Sequence, residues 1–246
     1  MKPSLFFLLF FTITVTKLAS LSQASPILDA FFEPVTPGEK YFLVSSIFKS
    51  GGGLKPGVSD QYSPCPVDVI QAEFSFMPDN GVPVVFAIPS SPSPSPSDSS
   101  NALTTGSAVE IGFSWKPGCV ESATWAVFED SGEKAWVGIG GLEDHVRAEK
   151  VVNGSFKMED APWGRLRFNA YKLLFCREGS GACSDVGIEY RDKTRRLVLG
   201  GRTTLRFNIF HTEEDDDVGS NHNHIKQVLA GSDLIHVCMY VCMYVY

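Results

Sequence analysis

The sequence has no cluster of lysine and arginine, and it has no long hydrophobic segment after its first residues. Its 21 Lys and Arg residues are outnumbered by 28 Asp and Glu residues, which gives a formal net charge of -7. A nucleic-acid partner would require grouped cations facing the phosphates. No segment after Ala24 is long and apolar enough to span a bilayer. Neither nucleic acid nor a membrane is therefore an expected partner.

The chain also lacks recognisable patterns of catalysis and of metal binding. GIGG (138–141) is only a fragment of a dinucleotide-binding loop and is better explained as a β-turn. The cysteines show no CxxC spacing, which argues against a zinc site. We therefore expect no catalytic residue, no metal site and no cofactor, and we do not expect an enzyme.

The one long apolar run stands at the start of the chain. Lys2 precedes a Leu- and Phe-rich run from Leu5 to Val15, and Ser22 and Ala24 are the small residues that signal peptidase recognises. The run is too short for a membrane anchor. Residues 1–24 are thus predicted to be a secretory signal peptide, and the protein is expected outside the cell or in the vacuole.

Export places the cysteines in an oxidising compartment, where an even set usually forms disulfides. The body of the chain contains Cys65, Cys119, Cys176 and Cys183, which allow three connectivities. Cys176 and Cys183 are close in sequence, with two glycines between them, and this favours a short loop. Cys65 and Cys119 would then close a long one.

Short apolar segments bounded by Gly, Pro, Asp or Asn fill the body of the chain. Several alternate apolar and polar residues, as in AVEIGFSW (108–115) and TTLRFNIF (203–210), and no stretch keeps a helical period beyond about two turns. The pattern predicts an all-β fold of many short strands. Trp115, Trp125 and Trp136 fall on these segments and are expected to be core or partly buried residues.

The run IPSSPSPSPSDSSNA (88–102) could be a linker between two domains or a loop on one domain. Too few strand segments precede Ile88 to make a separate domain, and a Cys65–Cys119 bridge would tether both ends of the run. We therefore interpret it as a loop within one domain that covers residues 25–212.

Residues 213–246 differ from the rest of the chain. They begin with five consecutive acidic residues, 213–217, and the stretch HTEEDDDVGSNHNH (211–224) has almost nothing that could be buried, which predicts a disordered acidic tail. The final VCMYVCMYVY has a four-residue period, as does the translation of a four-base DNA repeat. We hypothesise that this tail is a translated microsatellite. Separately, Asn153-Gly154-Ser155 is a glycosylation sequon, expected on a surface turn.

Several motifs occur together in a characteristic order. They are ILD (27–29), PGEKYFLVSSIF (37–48), CPVDVIQ (65–71), NGVPVVF (80–86), TWAVFED (124–130), YKLLFC (171–176) and CSDVGIEYRD (183–192). Because it contains these motifs in this order, the chain resembles the plant Kunitz-type protease inhibitors of the soybean trypsin inhibitor family, from about Ile27 to Phe210. The resemblance implies a monomeric β-trefoil of twelve short strands in three similar units, with disulfides Cys65–Cys119 and Cys176–Cys183. It also implies a secreted or digestive endopeptidase as partner, of the serine or the cysteine class.

The resemblance further places an inhibitory loop between the strands at 80–86 and 108–115. The loop residues are Ile88, Pro89, Ser90, Ser91, Pro92, Ser93, Ser97 and Asp98. Trypsin inhibitors of the family carry Arg or Lys here, yet no basic residue occurs between Lys55 and Lys116. Tight trypsin inhibition is therefore not expected, whereas a small P1 residue such as Ser90 would suit an elastase- or subtilisin-like pocket.

Two alternatives remain open. Family inhibitors often have a loop-bracing Asn where this chain has Pro37, and the loss of that brace favours a non-inhibitory storage or defence protein on the same scaffold. A carbohydrate-binding trefoil would instead require aromatic residues at equivalent places in all three units, a pattern that the sequence does not show.

Overall fold

The structure is a computed structural model that describes residues 24–47, 49–59, 65–75, 79–89, 102–132, 134–161, 169–191 and 193–212. Within these residues the chain forms strands and one short 3-10 helix, Leu142–Asp144. The predicted all-β class is thus confirmed. The predicted tail, 213–246, and all of the predicted signal peptide except Ala24 lie outside the described residues.

Fourteen strands are present in this part of the chain. Two of them are short and lie next to a longer strand, because Asn153 alone separates β8 from β9 and Leu205 alone separates β13 from β14. Merging each pair leaves the twelve strands that the resemblance implies. The strands are β1 (Lys40–Ser45), β2 (Leu54–Gly57), β3 (Asp68–Gln71), β4 (Val84–Ala87), β5 (Ala108–Phe113), β6 (Trp125–Glu129), β7 (Trp136–Ile139), β8 (Lys150–Val152), β9 (Gly154–Asp160), β10 (Tyr171–Arg177), β11 (Cys183–Arg191), β12 (Thr194–Leu199), β13 (Thr203–Thr204) and β14 (Arg206–His211).

Six strands close into a barrel. Their order is β14-β1-β4-β5-β9-β10, and β10 pairs with β14 to complete the ring. The closing pair is antiparallel, with Tyr171 opposite Phe207. A closed barrel removes the exposed sheet edges that would otherwise invite pairing with other chains.

Three hairpins cover one end of the barrel and are called the cap here. They are β2–β3, β6–β7 and β11–β12. The second strand of each hairpin pairs with the other two, since β3 meets β7, β3 meets β12 and β7 meets β12. A six-stranded barrel capped by three mutually paired hairpins is a β-trefoil, as the resemblance implied.

The core lies inside the barrel and beneath the cap. Along β5 the side chains of Val109, Ile111 and Phe113 are buried and alternate with exposed or half-buried neighbours, the period expected of a strand with one solvated face. Burial of each large apolar side chain contributes about 1.5–3 kcal/mol. Trp125 and Trp136 are buried as expected, but Trp115 is 59% exposed because it follows the end of β5.

Two disulfides are present, Cys65–Cys119 and Cys176–Cys183. Cys176 and Cys183 are register partners on β10 and β11, so the second bridge joins adjacent strands. The first bridge links residues 54 positions apart. It encloses the whole Ser/Pro run.

Gly53, in the segment GGGL (51–54), lies at a close approach of two backbone segments. A Cβ on Gly53 would lie 1.8 Å from the carbonyl oxygen of Asn80, so only glycine allows this close approach. The Gly53 N–H donates to the Asp79 carbonyl at 2.7 Å. This contact fixes the segment that leads into β4.

A buried polar cluster lies in the cap. Asp68 on β3 accepts hydrogen bonds from Arg196 Nη2 on β12 at 2.9 Å and from the Ser59 backbone N–H at 3.2 Å. The Ser59 hydroxyl also donates to Asp68. The Arg196 guanidinium stacks 4.0 Å from the centre of the Trp136 ring. The carboxylate is thus compensated on both oxygens, as a buried charge requires.

His145 completes this cluster. Its Nε2 donates to the Ile139 carbonyl at 2.9 Å, and its ring packs on Phe128 with centroids 3.6 Å apart. Its Nδ1 lies 3.9 Å from Asp68 Oδ1. Burial lowers the pKa of His145, and the nearby Asp68 carboxylate opposes this only in part. His145 is therefore held as the neutral imidazole.

Candidate inhibitory site

The Ser/Pro run leaves the barrel from β4, a strand held on both sides. Val85 pairs with Lys40 on β1 and with Gly112 on β5. Phe86 is fully buried and its ring lies 5.9 Å from that of Tyr41. Because β4 is fixed in this way, Ile88 and Pro89 emerge from a defined position, with Ile88 55% exposed.

The run returns to the barrel at residues 102–107. The Leu103 backbone N–H donates to the Val35 carbonyl at 3.1 Å, and the Leu103 carbonyl accepts from Ile27 N–H at 2.8 Å. The Leu103 side chain is only 3% exposed, so this apolar residue at the loop margin is part of the core. Both flanks of the run therefore attach to the same barrel.

Of the predicted loop residues, Ile88 and Pro89 lie in the described part of the chain. Ser90, Ser91, Pro92, Ser93, Ser97 and Asp98 lie outside the described residues. What the structure establishes is the frame of the loop, which is two stems hydrogen-bonded into one barrel.

Pro37 occupies the position at which the resemblance implies a bracing Asn. Its neighbour Gly38 donates a backbone N–H to the Phe86 carbonyl at 2.9 Å, which ties this turn to the strand that precedes the loop. Tyr41 anchors the same turn, since its hydroxyl accepts from Thr36 N–H and donates to Glu39 Oε2, both at 2.9 Å. Burial raises the pKa of Tyr41. The turn is fixed, but position 37 offers no side-chain donor to the loop.

A second turn, formed by residues 29–33, lies beside the returning stem, and sequence reasoning did not identify it. Asp29 is 3% exposed, and its Oδ1 accepts backbone N–H groups from Phe31 at 2.8 Å and Glu33 at 2.9 Å. The Tyr171 hydroxyl accepts the Leu28 N–H at 2.8 Å. Burial raises the pKa of Tyr171. The signal available in the sequence was the Asp at the start of a turn, which commonly bonds the backbone two residues ahead.

Other expected features can be compared with the part of the chain that the structure describes. Asn153 is exposed between β8 and β9, a position accessible to a glycan. Among the described residues, no group of three or more His, Cys, Asp or Glu side chains could hold a metal ion. No helix in those residues is long and apolar enough to cross a membrane.

The fold and the loop frame have clear relatives. The legume Kunitz family profile, described as trypsin and protease inhibitor, matches residues 27–210. The chain belongs to the plant Kunitz-type protease inhibitor family. The relatives named below are protease inhibitors, which are not enzymes.

Individual Kunitz relatives agree with this assignment. Subtilisin inhibitor CLSI-II from Canavalia lineata is 37% identical, over 70% of this chain and 85% of the relative. Kunitz-type elastase inhibitor BrEI from Bauhinia rufa is 35% identical, over 55% of this chain and 88% of the relative. The crystal structure of a Kunitz-type trypsin inhibitor from Cicer arietinum matches with a TM-score of 0.64 and 33% identity, over 77% of this chain and 99% of that chain.

Proposed function

We propose that this Kunitz-type chain is a secreted inhibitor of serine endopeptidases whose specificity pockets accept small P1 side chains, as in elastase- and subtilisin-like enzymes. The observation that carries the proposal is the composition of the loop between the two fixed stems. No Lys or Arg occurs between Lys55 and Lys116, and no Phe, Tyr or Trp occurs between Phe86 and Phe113. The similarity to a subtilisin inhibitor and to an elastase inhibitor supports this choice of target.

The frame of the loop suits a substrate-like inhibitor. Such a loop must be held before binding, so that little conformational entropy is lost in the complex. Strand β4 fixes the departing stem and the Leu103 hydrogen bonds fix the returning stem. Proline also restricts φ and favours an extended polyproline conformation, which matches the extended peptide that a protease cleft binds.

Loop chemistry selects the P1 residue. A pocket with a buried Asp requires Arg or Lys, whereas a small pocket accepts Ser or Ala. A proline directly after the scissile position crowds the reacting bond. Ser90, Ser97, Asp98 and Ser99 are each followed by a residue other than proline and avoid this problem. Of these we assign Ser90 as P1.

A non-inhibitory storage or defence role is the second candidate, and Pro37 is the observation that favours it. The side chain that braces the loop in family inhibitors is replaced by a ring without a donor. If the loop is not held between its stems, ordering it in a complex costs more free energy and inhibition weakens.

Titration of the purified protein against trypsin, chymotrypsin, elastase, subtilisin and papain tests the proposal. We expect inhibition of elastase or subtilisin in the nanomolar range or tighter, as in other protease–inhibitor complexes, and no tight inhibition of trypsin. Tight inhibition of trypsin would overturn the assignment of a small P1 residue. Inhibition of papain alone would indicate that the target is a cysteine protease. Inhibition of none of the five enzymes would favour the non-inhibitory role.

Two matched loop variants test the assignment of Ser90. Ser91→Pro places a proline directly after Ser90, whereas Ser100→Pro makes the same change near the far end of the run. We expect Ser91→Pro to raise the inhibition constant much more than Ser100→Pro. The reverse order would place P1 near Ser99.

A further inference from the structure

Two phenylalanines project from the turn at residues 29–33. Phe31 is 66% exposed and Phe32 is 56% exposed. They are adjacent in sequence and form what we call the Phe pair. Large aromatic side chains usually contribute to a core by burial, whereas most of the surface of these two rings faces solvent.

The backbone at this turn is strained. Phe32 has a φ of 68°, in the left-handed region that favours glycine and that bulky residues rarely adopt. Such conformations persist only where the surrounding structure imposes them, and they concentrate at functional sites. A phenylalanine here combines an unfavourable backbone conformation with an exposed ring. The stability of the folded protein therefore does not explain why phenylalanine occupies this position.

The turn that holds the Phe pair is rigid. Buried Asp29 accepts the Phe31 and Glu33 N–H groups through the same oxygen. The Ala30 N–H donates to the Ile209 carbonyl at 2.7 Å, and Asn169 Nδ2 donates to the Asp29 carbonyl at 3.2 Å. These bonds tie the turn to β14 and to the segment before β10. The two rings are therefore presented in a fixed place.

The pair lies at the end of the barrel from which the candidate inhibitory loop projects. Pro26 is bridged to Thr104 in antiparallel register, so extending that register by two residues brings Leu28 opposite Ala102. Ala102 is the first described residue after the loop, and Leu28 directly precedes the turn. The bridge between Leu28 and Pro34 closes the turn at the same point. The Phe pair therefore lies next to the point at which the chain returns from the loop to the barrel.

We propose that Phe31 and Phe32 form an exosite, which is a second contact with the same protease that the loop inhibits. The two rings pack on an apolar surface of the enzyme beside its cleft. This inference rests on the proposed function. Aromatic side chains dominate binding energy at interfaces when they become desolvated. A rigid turn also loses little conformational entropy on binding. The exosite adds affinity and selects among proteases whose P1 pockets are alike.

The test compares the wild-type protein with the double variant Phe31→Ala/Phe32→Gly, using a protease that the wild type inhibits. Glycine at position 32 relieves the backbone strain, so we expect the midpoint of thermal unfolding not to fall. We expect the inhibition constant to rise at least tenfold, mainly through faster dissociation. Trp115→Ala is the matched control, because Trp115 is also an exposed aromatic residue, at 59%. It follows the last residue of β5, which pairs with the first residue of β4, Val84, and so lies away from the loop. This control should change the inhibition constant by less than twofold.

The outcomes separate the exosite from the proposed function. If the protease is inhibited and the double variant is equally potent, the exosite is wrong and the inhibitory function stands. If the wild-type protein inhibits no protease, both fail together. Sedimentation of the wild type and the double variant adds a further check. A dimer that the double variant abolishes would show that a second copy of this chain, and not a protease, covers the Phe pair.

Discussion

Arg196 Nη2 lies 2.9 Å from Asp68 Oδ1 in the cap, and the two side chains are only 7% and 4% exposed. Removing one partner of such a pair leaves a buried charge without compensation. We expect Asp68→Ala to lower the free energy of unfolding by about 3–5 kcal/mol, measured by denaturant titration. The exposed pair of Lys134 and Glu189 is the control. Glu189→Gln should lower the free energy of unfolding by no more than about 1 kcal/mol. Equal losses of unfolding free energy in the two variants would contradict this account.

Stability should depend on pH through His145. Burial holds its pKa below the ordinary value of 6.5, so the unfolded chain takes up a proton at a higher pH than the folded protein does. The unfolded state then binds more protons, and linkage requires stability to fall as the pH falls below about 6.5 towards the lowered native pKa. Asp68, Arg196 and Asp144 are the charged groups that face the ring.

His145→Gln isolates this contribution from other titrating groups. We expect the variant to be less stable at pH 7.5, because the packing on Phe128 is lost. Its free energy of unfolding should nevertheless fall less between pH 7 and 5 than that of the wild type. Parallel pH profiles for the two proteins would show that His145 does not titrate in this range.

The two disulfides should differ in their effect on stability. The chain-entropy treatment assigns about 4 kcal/mol to a bridge with a sequence separation of 54 and about 2 kcal/mol to one with a separation of 7. We therefore expect Cys65→Ser/Cys119→Ser to lower the unfolding free energy more than Cys176→Ser/Cys183→Ser. Denaturant titration of both double variants checks this order, and the opposite order would point to specific native contacts of the short bridge.

A single N-linked glycan is predicted at Asn153. The residue is exposed between β8 and β9, and its carbonyl accepts the Glu178 N–H at 3.0 Å. For protein expressed in a plant secretory system, glycosidase treatment should reduce the mass of the wild type and leave Asn153→Gln unchanged. Asn80→Gln, which lies outside any sequon, is the control and should behave like the wild type.

The sequence predicted the barrel better than the cap. β5 and β14 show plain alternation because one face packs on the core and the other meets solvent. All four residues of β7 are buried, so its apolar run indicates a strand without giving its orientation. β2 contains Pro56 and Gly57, which strands disfavour. It is paired only because the cap supplies β3 as a partner.

The polar and aromatic residues of interest were the hardest to predict. Asp68 within CPVDVIQ looks like an ordinary surface carboxylate, and His145 follows a short polar turn. Their burial depends on hairpins that are distant in sequence and meet in the cap. Phe31 and Phe32 show the opposite case, since their hydrophobicity suggests a core position while the Asp29 turn presents them outward. The burial or exposure of these residues follows from tertiary contacts, which the local periodicity of the sequence does not reveal.

The long disulfide has a consequence for a protein that meets proteases. A cut between residues 90 and 101 separates β4 from β5 in sequence, but Cys65 remains bonded to Cys119 across the cut. β4 also remains paired with β5 from Val84 to Ala87. The nicked molecule is then a two-chain protein that keeps its barrel, migrates as one species without reductant, and divides into two fragments only when it is both denatured and reduced.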